Sequence, residues 1–334
     1  MIKFGYKASA EQFAPRELLD FSVQAEQSGF DSVFISDHLQ PWRHTGGHAP
    51  AALPWLGALL ASTERVIVGT SVLTPSFRYN PVVVAQAFAT LGCLAPGRVV
   101  LGLGSGESLN EVPAGTVWPE PKERFARLKE SIELIKRLWT EERVTFEGKY
   151  YRCDRATIYD LPEIPVGLYV AGAGPATTRM AGRLADGHIC TSGKGRELYA
   201  DVLLPALAEG AAKAGRSSAD LDRMIEVKVS FDHDRQRALD NTHYWGALAL
   251  TPDEKTGVDD PIEMERRADA LPIERTASRW IVSSDVDEHV ARITEYLDLG
   301  FTHLVFHAPG PDQSRFLDLY GKEILPRLRA SVGR

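Results

Sequence analysis

Eight short runs rich in aliphatic and β-branched residues recur along the chain, and nearly all are followed by a stretch with helical apolar spacing. They are KFGYK (3–7), SVFIS (32–36), RVIVGTSVL (65–73), RVVLGLG (98–104), VGLYVAG (166–172), GHICTS (187–192), MIEVKVSF (224–231) and HLVFHA (303–308). Runs such as RVIVGTSVL are apolar almost throughout, as strands buried on both faces of a parallel sheet must be. The helical stretches carry matching stop and start residues. Pro15 opens PRELLDFSVQAEQSG and Gly29 follows its end, while Phe125, Leu128, Ile132, Ile135 and Leu138 recur on one face of KERFARLKESIELIKRLW. The last unit reverses the order, with DVDEHVARITEYLDLG ahead of its strand. Eight strand–helix units predict an α/β fold, a (β/α)8 TIM barrel spanning residues 1–334 as one domain. Two insertions are expected, a β-hairpin near 144–153 turning at Glu147–Gly148 and a charged segment over roughly 251–284. The rival is a doubly wound open sheet, but no GxGxxG follows the first strand.

The net charge of −7 argues against a general nucleic-acid or anionic-membrane binder, so any anion site must be a local cluster of Lys and Arg. Cys93, Cys153 and Cys190 are odd in number and widely spaced, which points to a reducing, cytoplasmic setting. The start, MIKFGYKASAEQF, lacks the pattern of a secretory signal, and no run approaches 18 apolar residues. Neither nucleic acid nor membrane is an expected partner.

Polar clusters sit just past the carboxyl ends of five predicted strands: Ser36-Asp37-His38, Thr70-Ser71, Ser105-Gly106-Glu107, Gly172-Ala173-Gly174 and Thr191-Ser192-Gly193-Lys194. In a barrel those ends converge on one face, where active sites form. His38 and Glu107 make a candidate proton-transfer pair; the plainer reading is a helix cap and a solvated loop. In SDHLQPWRHTGGHAP (36–50), His44 and His48 invite a metal reading, but Gly46-Gly47 between them opposes a helix presenting both, so no metal is expected and both read as structural. AGAGPATT resembles an anion site at a helix start. TSGKG combines hydroxyls, a glycine turn and a lysine suited to phosphate, and Lys255 and Arg279 flank the charged insertion. The residues alone predict a barrel enzyme with an acid–base pair and a phosphate pocket, with no reaction named.

GYKASAEQFAPREL, SDHLQPWRHTGGHAP, GTSVLTPSFRYNPVVVAQAFATLGCL, CTSGKG, DDPIEMERRADALPIE and HLVFHAPG closely resemble the deazaflavin-dependent sugar-6-phosphate dehydrogenases, a branch of the luciferase-like monooxygenase superfamily of TIM barrels. The likeness covers nearly the whole chain in the same order. It implies oxidation of a sugar 6-phosphate, glucose 6-phosphate foremost, at C1 to the 6-phospho lactone, with hydride transfer to coenzyme F420. Carried over, Glu107 accepts the sugar hydroxyl proton, His38 donates towards the deazaflavin, and Trp42 walls the site. Asp37, Ser71, Val72, Thr74, Ser105, Gly106, Glu107, Asn110, Gly172, Ala173, Gly174, Ala176 and Thr177 are the implied cofactor-binding set, with a cis peptide between Ser71 and Val72. Thr191, Lys194, Lys255 and Arg279 are the implied sugar-phosphate set, and a homodimer is the implied assembly. Three positions depart from the pattern: Ser105 replaces threonine, Ala173 replaces glycine, and Thr256 replaces histidine beside Lys255. Alternatives are another sugar phosphate such as fructose 6-phosphate, an alcohol without phosphate, a flavin-dependent monooxygenase, or a cofactor-binding barrel without activity.

Overall fold

The computed structural model describes residues 2–332; Met1, Gly333 and Arg334, included in the expected domain span, lie outside the described residues. Its strands are β1 (Lys3–Ala8), β2 (Ser32–Ile35), β3 (Ile67–Thr70), β4 (Val99–Leu103), β5 (Val144–Glu147), β6 (Arg152–Ala156), β7 (Gly167–Ala171), β8 (Gly187–Thr191), β9 (Asp222–Phe231), β10 (Ile281–Ser283) and β11 (His303–His307). Eight of them pair in parallel in the order β1-β2-β3-β4-β7-β8-β9-β11, and β11 pairs with β1 to close the barrel. The expected (β/α)8 barrel is therefore the fold, and each of the eight predicted runs supplies one barrel strand.

Helices cover the outside because their apolar stripes need the strands' outward faces. Pro121–Thr140 buries Leu128, Ile132, Ile135 and Leu138, four of the five residues its spacing picked out, while Phe125 in its first turns is only partly buried. Its start follows from proline at the first helical position. Asn80 and Asp285 cap other helices by accepting the Val82 and Glu288 backbone N–H groups.

Inside the barrel the side chains form layers. The middle layer is apolar: Phe34, Val100, Tyr169, Ile189, Met224 and Val305. Glycine on the neighbouring strands makes room for it. A Cβ on Gly102 would lie 1.9 Å from the Thr70 carbonyl oxygen, and one on Gly69 would lie 2.7 Å from the Phe34 ring. Below this plug, at the amino ends of the strands, Asp222 accepts from Lys3 Nζ (2.5 Å), Tyr169 Oη (2.6 Å) and Thr302 Oγ1 (2.7 Å) and meets His303 Nδ1 at 3.1 Å. His303 Nε2 in turn stands 2.7 Å from Ser32 Oγ, and both residues are fully buried. Above the plug lie Lys7, Glu226, Lys228 and His307, all buried. Strand alternation explains this stacking, since residues two apart on β9 (Asp222, Met224, Glu226, Lys228) face the same way.

The insertions differ in detail from expectation. The hairpin of β5 and β6 reaches Ala156, and its turn is closed by Gly148 N–H donating to the Tyr151 carbonyl rather than centring on Glu147–Gly148. The 251–284 segment holds three short helices (Pro252–Lys255, Pro261–Asp269, Ile273–Ala277) and β10. β10 pairs with Val229–Phe231, the part of β9 that runs on past the end of β11. Among the described residues no helix is long and apolar enough to cross a membrane.

Candidate active site

The loops after β2, β3, β4, β7 and β8 meet at the carboxyl end of the barrel, and two adjoining pockets open there. The first, about 340 Å³, is lined by Asp37, His38, Ser71, Val72, Thr74, Ser105, Gly106, Glu107, Asn110, Gly172 and Ala173 among others. The second, about 290 Å³, is lined by His38, Trp42, Glu107, Thr191, Lys194, Lys255 and Arg279, with Lys7, Glu11, Glu226, Lys228 and His307 at its base. His38, Ser71, Glu107, Ala173, Thr191 and Glu226 belong to both linings, so the two pockets share a wall.

Most of the implied cofactor set lines the first pocket; Gly174, Ala176 and Thr177 do not. They form the start of the helix Pro175–Leu184, with Gly174 as its N-cap and no side chain satisfying the first N–H groups. Such a helix start suits an anion. The Ser71–Val72 peptide is cis, as the resemblance implies. Gly106 takes φ +85° next to Glu107, a conformation that favours glycine.

The wall beside this pocket is rigidly tied. Asp37 Oδ1 accepts from the Ala52 N–H (3.0 Å) and from Tyr79 Oη (3.2 Å), and Oδ2 accepts from Arg78 Nη2 (3.0 Å). Asp37 therefore does cap a helix, the plainer role, while also facing the pocket. Arg78 also pairs with Glu111 (3.2 Å), whose carboxyl burial pushes above its usual range despite that partner. Asn110 Oδ1 accepts the Leu39 and Gln40 N–H groups, tying the β4 loop to the β2 loop.

His38 is held by a residue the sequence did not single out. Glu11, buried in the loop after β1, places Oε1 3.3 Å from His38 Nε2, and Ser36 Oγ donates to the same carboxylate at 2.9 Å. The Gln40 carbonyl lies 3.3 Å from His38 Nδ1. Both ring nitrogens thus face oxygen acceptors. Glu107 is exposed, and no side-chain partner is assigned to it among the described residues. His44 and His48 do not hold the glycine turn with their side chains. Backbone bonds (Gly47 N to His44 O, His48 N to Glu11 O) and Glu265, which accepts the His44 and Thr45 N–H groups, do so instead. No cluster of three His, Cys, Asp or Glu side chains suited to a metal is found among the described residues.

Five Lys and Arg side chains line the second pocket; Lys7 and Lys228 face Glu226, and Lys194, Lys255 and Arg279 make up the rest. Lys255 Nζ sits 4.6 Å from the centre of the Trp42 ring. Burial, with Arg279, Lys228 and Lys194 nearby, lowers its ammonium to about 8 against the opposing pull of Glu107. Arg279 Nη1 donates to the Gly193 carbonyl at 2.8 Å, and its Nε is buried without a partner. A concentration of positive charge with unspent donors calls for a dianion.

A closed parallel barrel whose carboxyl end carries two adjoining pockets, one of them lined by Lys194, Lys255 and Arg279, has the architecture of the luciferase-like proteins. The luciferase-like monooxygenase family profile matches residues 1–303, and the chain belongs to that family. It is 71% identical over 330 residues to the F420-dependent glucose-6-phosphate dehydrogenase of Beutenbergia cavernae, covering 99% of this chain and 98% of that one. It is 69% identical to the protein of the same name from Nakamurella multipartita, covering 100% and 98%. Among solved structures it resembles an F420-dependent secondary alcohol dehydrogenase in complex with an F420–acetone adduct, with TM-score 0.93, 32% identity, and coverage of 98% and 99%.

Proposed function

We propose that this chain is an F420-dependent dehydrogenase that oxidises a sugar 6-phosphate, glucose 6-phosphate foremost, at C1 to the 6-phospho lactone. The observation that carries this reading is the pairing of pockets: Thr191, Lys194, Lys255 and Arg279 line one, and its wall of His38 and Glu107 lines the other. A secondary alcohol without phosphate leaves Lys194, Lys255 and Arg279 without a dianion, and Glu107 is the one carboxylate whose pull on Lys255 is resolved. The first pocket fits a deazaflavin by its chemistry: small residues at Gly104, Gly106, Gly172 and Ala173 leave space for a flat ring, and an uncapped helix start nearby suits an anionic tail. Bound there, the deazaflavin supplies the hydride acceptor.

The remaining steps belong to side chains. The cations and Thr191 hold the phosphate and so orient the far end of the sugar towards the shared wall. Glu107 takes the C1 hydroxyl proton as the C–H bond is broken, and His38, held by Glu11, delivers a proton on the cofactor side. Trp42, under Lys255, closes the pocket to water. Two copies form the expected homodimer, which light scattering tests as a mass twice that of the chain.

The test is a bleaching assay. Oxidised F420 is mixed with the protein, and its visible absorbance is followed after adding glucose 6-phosphate, fructose 6-phosphate or glucose. Bleaching is expected with glucose 6-phosphate and not with glucose. Equal bleaching with glucose, or none with any sugar despite cofactor binding, overturns the reading.

A further inference from the structure

Glu226 is the second carboxylate on the wall between the pockets, and its surroundings are opposite to those of Glu107. It is nine-tenths buried and faces three cationic or imidazole groups: Lys7 Nζ on Oε2, and Lys228 Nζ and His307 Nδ1 on Oε1, each at 3.4 Å. Burial by itself would raise its carboxyl, but Lys7, Lys228 and His307 outweigh that and hold it well below the usual range. It is an ionised group that accepts hydrogen bonds and does not give up or take a proton near neutrality. None of its contacts is short: charge-assisted bonds to carboxylates run at about 2.7–2.9 Å, so all three partners stand off and its lone pairs keep capacity. His307 is only 2% solvent-accessible; its Nδ1 meets Glu226 only at the long 3.4 Å distance, no hydrogen-bond partner is found for its Nε2 among the described residues, and Trp245 and Trp280 fix its ring edge-on at 4.6 and 5.1 Å. Buried polar atoms without partners, lining a pocket, mark where a polar ligand completes the network.

We infer that Glu226, flanked by Lys228 and His307, receives the sugar hydroxyl adjacent to the oxidised carbon and thereby sets which phosphorylated polyol the site accepts. This rests on the function proposed above. In the proposed function the phosphate end is fixed by Lys194, Lys255 and Arg279, which line the second pocket and not the first, whereas Glu226 lies on the wall common to both pockets. The reacting carbon has to reach that wall, so the group within reach of Glu226 is a neighbour of that carbon. For an aldose phosphate oxidised at C1, that neighbour is the C2 hydroxyl. The division of labour follows from the two environments: Glu107, without a cationic clamp, is free to take a proton, and Glu226 is clamped as an acceptor.

The probe is 2-deoxyglucose 6-phosphate, compared with glucose 6-phosphate by kcat/KM in the unaltered protein, in Glu226→Gln and in His307→Leu, with F420 affinity measured by fluorescence quenching in each. Loss of a hydrogen bond to a charged acceptor should lower kcat/KM for the deoxy sugar about 10- to 100-fold in the unaltered protein. That penalty should shrink to within about 3-fold in Glu226→Gln, because the parent sugar loses the same interaction, while F420 affinity holds. His307→Leu leaves the Lys–Glu pairs intact and should shrink the penalty in part, which covers a failure of the Glu226 variant to fold. Equal use of both sugars by the unaltered protein overturns the inference, as does a penalty undiminished in the soluble variants. Absence of turnover with glucose 6-phosphate itself would instead remove the function on which it rests.

Discussion

Glu107 stands exposed at the amino end of a four-residue helix, with no side chain holding it. Removing its charge without its shape is therefore a clean test. Glu107→Gln should lower kcat by about 10²-fold or more while F420 still quenches on binding, because the proton acceptor is lost and the cleft is not. Near-normal turnover would take Glu107 out of the mechanism. Lys255 makes a second prediction. Its ammonium is lowered to about 8, so in the free protein its charge fades as pH rises through that value. In the proposed role the charged form binds the phosphate dianion, so KM for the sugar phosphate should climb above pH 8 and stay flat between about pH 7 and 8, above the second phosphate ionisation at about 6. Lys255→Arg keeps its charge throughout and should flatten that limb; an unchanged profile would show that another group titrates there.

At the scale of elements, the inserted helix Pro261–Asp269 grips the loop that carries His38 and Trp42. Arg43 pairs with Asp269 in bidentate fashion (2.6 and 3.1 Å) and with Glu265 (3.0 Å), and Glu265 also accepts the His44 and Thr45 N–H groups. Arg43→Ala releases that grip, and a bidentate pair contributes about 1 kcal/mol, so KM for the sugar phosphate should rise about 5-fold with F420 affinity unchanged. A steady-state comparison decides it; an unchanged KM would make the grip ornamental to the pocket. This tie was not legible in the amino-acid order, where Arg43 and Asp269 lie 226 positions apart. The strands were legible for a physical reason: an eight-stranded parallel barrel buries both faces of each strand, and that leaves apolar runs any reader can find. The polar strand ends were legible too, since the fold gathers them on one face. Glu11 and Glu226 were not. Glu11 lies inside GYKASAEQFAPREL, which carried the resemblance but pointed to no role for it, and Glu226 lies inside MIEVKVSF, where alternation reads as an ordinary half-polar strand until barrel closure turns that face inward.

For the whole molecule, buried imidazoles set the response to acid. His188 is lowered to about 4 by burial, against a hydrogen bond with the Gly172 carbonyl, and His289 to about 3 by burial with Arg292 nearby. Both titrate near 6.5 in the unfolded chain, which takes up protons first as pH falls. Their stabilising effect is therefore complete above about 6.5 and is lost progressively below it, towards 4 and 3. Below 6.5 each contributes about 1.4 kcal/mol per pH unit, so these two make the protein about 3 kcal/mol less stable at pH 5.5 than at pH 7.5, and His303 and His307, also lowered by burial, act in the same direction. Urea midpoints at the two pH values measure this, and His289→Gln should shrink the difference by about 1.4 kcal/mol. Equal midpoints would mean that these histidines are reached by protons in the folded state.

The order of residues alone determined the barrel and the face on which its polar strand ends gather, because those follow from local periodicity and from which residue types end each strand; the cationic set came from the family resemblance. Which of those residues are free to act was decided only by the tertiary structure. Asp37 is occupied by Arg78, Tyr79 and a helix start, His38 is held by Glu11, and Glu226 is clamped as an anion by Lys7, Lys228 and His307. Charge state and hydrogen-bond capacity depend on partners a few ångströms away in space, and closure of the barrel brings those partners in from strands that lie far apart along the chain.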